Sequence, residues 1–82
     1  MMLSIQVPEY LYNNFYNVFK KLKNRKTGIS FSRLQLFVYN ITGCYYAANN
    51  IQNIIINEGI LVFNGEKYLL TENIKNIKLS TT

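Results

Sequence analysis

The chain contains no aspartate and no histidine, and Cys44 is its one cysteine. Most enzyme chemistry needs a proton donor or acceptor poised near neutrality, a metal cluster or an activated nucleophile. The carboxylates Glu9, Glu58, Glu66 and Glu72 are spread along the sequence without a close pair. A lone thiol makes neither an intramolecular disulfide nor a metal site, and no phosphate-cradling glycine motif occurs. A Tyr45 or Tyr46 nucleophile for strand transfer would want basic groups clustered at the scissile phosphate, and only Arg25 and Arg33 are arginines. The expectation is a protein that is not an enzyme, with no cofactor, no metal and no small-molecule substrate.

Long apolar runs are missing too. None approaches the ~18 residues of a membrane-spanning helix, and Met1 to Val7 lacks the basic start and small-residue cleavage site of a signal peptide. A free thiol suits a reducing interior. These absences predict a soluble, cytoplasmic protein with no membrane partner, in which Cys44 serves as a small core residue.

What is present suffices for one hydrophobic core: 82 residues, 49% of them apolar. We therefore expect residues 1–82 to form a single domain, with its core at about 8–72. A domain this small buries only about two-thirds of its unfolded surface, so a partner subunit would help it and a homodimer stays open. Nine Lys and Arg against four Glu give a net charge of +5, which favours acidic partners such as phosphates. Asn, Ile, Lys and Tyr are overused, as A/T-rich codons dictate, so their abundance by itself argues for no activity.

Leu3 to Val7 alternate apolar with polar, the period of a strand with one buried face, and Pro8 presets a helix start. From Pro8 to about Asn24, Leu11, Phe15, Val18, Phe19 and Leu22 recur at three and four and predict an amphipathic helix. Lys20, Lys21, Lys23, Arg25 and Lys26 gather at its end, where cations complement the backbone dipole, although a solvated helix end also accounts for them. Thr27 and Gly28 break the helix. Ile29 and its neighbours suit a short strand, and Ser30 or Ser32 can cap a second helix whose stripe is Phe31, Leu34, Val38 and Ile41. Gly43 is the turn. A third helix is expected from Tyr45 to Glu58, with Ala47, Ile51, Ile54 and Ile55 inward and Gly59 as its stop. Ile60 to Phe63 and Glu66 to Leu70 flank Asn64 and Gly65, the pair suited to a two-residue hairpin turn. After Thr71, Ile74 and Ile77 suggest one more short helix.

Helix, short strand, helix, glycine turn, helix and hairpin follow one another in this chain. The junction runs through Ile51, Ile54, Ile55, Asn57, Glu58, Gly59, Ile60 and Leu61, then Asn64-Gly65 and Tyr68 to Glu72. From about Pro8 through Glu72 the chain resembles the winged helix-turn-helix DNA-binding superfamily. The resemblance implies an α+β fold: a three-helix core, a C-terminal two-stranded β-hairpin wing and a short N-terminal strand. It also implies a double-stranded DNA partner, met by the third helix and the wing.

With Ile51 inward, a 100° step turns Tyr46, Asn49, Asn53, Ile56 and Asn57 outward, with Tyr45, Asn50 and Gln52 at the margins. Asn and Gln amides match the adenine edge in a major groove, and Tyr meets a phosphate or a thymine methyl. The same side chains also suit an ordinary solvated face. The candidate readers are Tyr45, Tyr46, Asn49, Asn50 and Asn53. No Lys or Arg lies on this helix, so backbone neutralisation falls to Lys23, Arg25, Lys26, Ser30, Ser32 and Arg33, and to the wing residues Asn64, Gly65 and Lys67. The functions implied are a transcription regulator or an accessory factor at a plasmid or phage origin. The alternative is a protein-interaction module, motivated by outward Tyr10, Tyr16, Leu36, Tyr39 and Ile56.

Overall fold

The alternation at the N-terminus is realised as strand β1, Leu3–Val7, with Ile5 and Val7 buried and Ser4 and Gln6 exposed. The computed structural model describes residues 3–71 and 77–81. Pro8 caps helix α1, Glu9–Lys23, at φ −53°, the angle its ring imposes. All five stripe residues of α1, Leu11, Phe15, Val18, Phe19 and Leu22, are buried. Helix α2 spans Phe31–Thr42 and helix α3 Tyr45–Asn57. Between them Gly43 sits in the left-handed region, at φ 71°, and its N–H donates to the Tyr39 carbonyl. That region is nearly free of strain only for a residue without Cβ.

Strands β2, Leu61–Phe63, and β3, Tyr68–Leu70, pair antiparallel. Ile29 joins them through an antiparallel bridge, exchanging backbone hydrogen bonds of 2.9 and 2.8 Å with Tyr68. The hairpin is thereby stitched to the loop between α1 and α2. Strand β4, Ile77–Thr81, lies parallel to β1 in a separate two-stranded sheet, with Ile5 opposite Leu79. The fold is thus α+β: three helices, a small antiparallel hairpin and an N-terminal strand. Its core runs from Ile5 and Val7 through α1 to Leu34, Val38, Ile51, Ile55, Ile60 and Leu61. No helix among the described residues is long and apolar enough to cross a membrane.

Several expectations are corrected. Ile77 belongs to a strand rather than a helix: Ile77 and Leu79 are half-buried while Lys78 between them is exposed, a two-residue period. Ile74 lies outside the described residues. The hairpin closes not with a two-residue Asn64-Gly65 turn but with residues 64–67, since Phe63 pairs with Tyr68. Only Gly65 there has positive φ, at 100°, whereas a type I′ turn needs it at both central residues. Asn64 instead turns its Oδ1 inward to accept from the N–H groups of Glu66 and Lys67, at 2.9 and 2.8 Å.

In α2 only Leu34 and Val38 are fully buried. Phe31 is 49% exposed and packs its ring on Tyr68, while Ile41 is half-buried. Ser30, not Ser32, is the N-cap. In α3 the inward face is broader than the isoleucine stripe, for Ala48 and Gln52 are buried beside Ala47, Ile51 and Ile55. Ile54 and Ile56 are half-buried against the core. Cys44 is exposed: it is the N-cap of α3, with extended backbone, and so precedes the face that the helix buries.

Candidate nucleic-acid interface

Tyr45, Tyr46, Asn49 and Asn53 project from α3 into solvent, the two tyrosines each 70% exposed. Asn50 is half-buried, and Gln52, at 4% exposure, is withdrawn from the outer face altogether. Their positions follow from the wider buried sector of α3, which takes in Ala48 and Gln52 and leaves a narrower exposed strip. Cys44 offers no side-chain cap hydrogen bond, so the first N–H groups of α3 keep no side-chain acceptor. An anion suits such unpaired donors. At α2 one donor is already engaged, because the Ser30 hydroxyl accepts from the Arg33 N–H at 3.4 Å.

Two grooves meet on this side of the molecule. The first, of about 250 Å³, lies between α2 and α3 and brings Ser32 and Gln35 to Tyr45 and Asn49. The Tyr45 ring stacks on Tyr39 with centroids 4.1 Å apart, which fixes one wall of the groove. The second, of about 270 Å³, is lined by Arg25, Arg33, Phe37 and Asn40. Leu36 lines both and forms the ridge between them. Gln35 was not among the residues expected here. Its signal is the helical spacing of Ser32, Gln35, Leu36 and Tyr39, which recur at three, one and three along α2 and so share a face.

The cations are not equivalent. Lys26, Arg33 and Lys67 are exposed. Arg25 is half-buried, donates from Nη2 to the Gly28 carbonyl at 3.4 Å and lies over the Phe37 ring, 5.8 Å from its centroid. Its Nε is buried without a partner. Arg25 therefore helps hold the loop, while its neighbours remain free to meet an anion. Farther back on α1, Lys20 and Lys23 lie over the rings of Tyr16 and Phe19. Within the hairpin, Asn64 spends its side-chain carbonyl on the turn, and Gly65 and Lys67 are exposed at the tip.

Lys67, distant in sequence from the other cations, packs against the loop that follows them. A Cβ built on Gly28 would stand 2.8 Å from Leu69 Cδ2, 3.1 Å from Lys67 Cβ and 3.2 Å from the Tyr68 carbonyl oxygen. The basic loop and the hairpin are thus in close contact at a residue that must be glycine. Leu69 can swing aside for a methyl group, but the Lys67 Cβ and the Tyr68 carbonyl are anchored to the strand. Gly28→Ala is expected to destabilise the fold by about 1–3 kcal/mol. Urea denaturation measures this, together with faster amide exchange at Ile29 and Tyr68; unchanged exchange would disprove the tight junction.

In comparisons with protein-family models, with curated proteins and with solved structures, nothing matches this chain.

Proposed function

We propose that this protein is a non-catalytic binder of double-stranded DNA with a winged-helix layout, serving as a small transcription regulator or an accessory factor at a plasmid or phage origin. The order of helices, the Ile29–Tyr68 bridge and the β2–β3 hairpin support the winged-helix reading. One observation carries the DNA reading: the uncharged amide face of α3 adjoins, across Leu36, a groove holding Arg25 and Arg33, and the wing cation Lys67 packs against the same loop. Hydrogen-bonding groups suited to base edges and cations suited to phosphates thus line adjoining grooves, which supports the division of labour that duplex recognition requires. In this reading Tyr45, Asn49 and Asn53 face the major groove. Tyr46 and the free N–H groups of α3 lie toward the backbone. Lys26, Ser32, Arg33 and Lys67 hold phosphates.

Fluorescence anisotropy with a labelled duplex tests the proposal. If four or five phosphates are neutralised, log affinity falls with log salt at a slope of about −4. A flat salt response sinks it.

A protein-interaction module is the second reading, favoured by Tyr10 and Tyr16, which are exposed on α1 along with Leu36 on α2. Tyr39 and Ile56 drop out of that set because both are half-buried. Sedimentation across a range of concentrations separates a monomer from a homodimer. A monomer without DNA affinity would favour this second reading.

A further inference from the structure

We infer that the surface between α2 and α3 selects A·T-rich duplex DNA, with Leu36 as the contact for thymine methyl groups; this rests on the DNA-binding reading above. The exposed face of α3 lacks the usual reader of guanine. No Lys or Arg occurs from Tyr45 to Asn57, and a bidentate cation is the commonest reader of guanine in the major groove. The exposed amides of α3 are those of Asn49, Asn53 and Asn57, whose paired donor and acceptor complement the adenine edge. Gln52, the remaining long amide of the helix, is buried.

Leu36 supplies the second half. It is 60% exposed and stands on the ridge between the amide-lined groove and the arginine-lined one. A duplex touching both grooves therefore passes over it. Among the groups that unmodified DNA presents in the major groove, the thymine C5-methyl is the apolar one, so it is the natural contact for a leucine side chain. A G·C pair in that place offers the cytosine C5–H instead of a methyl group, so the leucine buries less apolar surface against it. The Tyr39–Tyr45 stack, 4.1 Å between centroids, gives the adjoining wall an ordered aromatic surface that also favours the methyl.

Three labelled duplexes of equal length decide the matter by anisotropy at one salt concentration: an A·T-rich duplex, the same duplex with uracil for every thymine, and a G·C-rich duplex. The A·T-rich duplex is expected to bind roughly tenfold more tightly than the G·C-rich one. Removing the methyl groups is expected to weaken binding about three- to fivefold. Leu36→Ala should bind the thymine and uracil duplexes alike, whereas Asn49→Ala should keep the difference between them. The uracil comparison needs no protein variant, so it stands whatever the substitutions do to folding. Equal, salt-dependent binding of all three duplexes by the unaltered protein would overturn the selectivity and leave DNA binding intact. Binding to none of them at low salt would overturn both.

Discussion

Phe15→Ala is expected to be the most destabilising single change in this chain, costing about 3–5 kcal/mol. The ring has no solvent exposure and stacks beside Phe19, 6.5 Å between centroids, in the core that α1 contributes. A domain of this length holds on the order of 4–12 kcal/mol in total, so the substitution removes from about a quarter to all of the stability. Urea denaturation followed by circular dichroism measures the loss. Tyr10→Ala, on the same helix but 67% exposed, is the control and should shift stability by less than about 0.5 kcal/mol. Equal losses in the two variants would contradict the burial pattern of α1.

Replacing Lys26, Arg33 and Lys67 together by alanine is expected to lower affinity for duplex DNA by about two to three decades at 0.1 M salt, because each lost phosphate contact removes about 0.9 from the logarithmic salt slope. The slope should fall from about −4 to between about −1 and −2. All three side chains are exposed, and the hydrogen bonds recorded for Arg33 and Lys67 at the α2 cap and the wing turn use backbone N–H groups. Stability should therefore be nearly unchanged. Arg25 is left in place because it donates to Gly28 and lies over Phe37; its removal would disturb the loop as well as the charge. Unaltered affinity in the triple variant would remove these residues from the proposed interface.

The helices were legible because their information is local. Five apolar residues of α1 at spacings of three and four all proved buried, and Pro8, Gly43 and Gly59 end or begin elements wherever their backbone preferences dictate. Misreadings occurred where a residue's fate depends on a distant partner. Ile77 and Leu79 form a strand only because β1 lies alongside, a pairing between the two ends of the chain that no local period reveals. Phe31 fits the α2 stripe by spacing, yet it packs on Tyr68 at the margin of the core. Gln52 is polar and at the edge of the helical projection, but Ala47 and Ala48 are small enough to let that side of α3 approach the core.

The candidate site divides along the same line. Exposure of Tyr45, Tyr46, Asn49 and Asn53 follows from the isoleucine period of α3, and exposure of Lys26, Arg33 and Lys67 from charge alone, since uncompensated ions remain in water. Their assembly does not follow from either. The Ile29–Tyr68 bridge and the space that Gly28 leaves carry Lys67 to the basic loop, and the packing of α2 on α3 sets Leu36 between the amides and the arginines. Residue order determined which elements form and which of their sides are wet, because helix propensity, capping and amphipathic period act over a few neighbours. Only the tertiary structure decided which wet residues share a surface, because strand pairing and helix packing join positions that lie tens of residues apart.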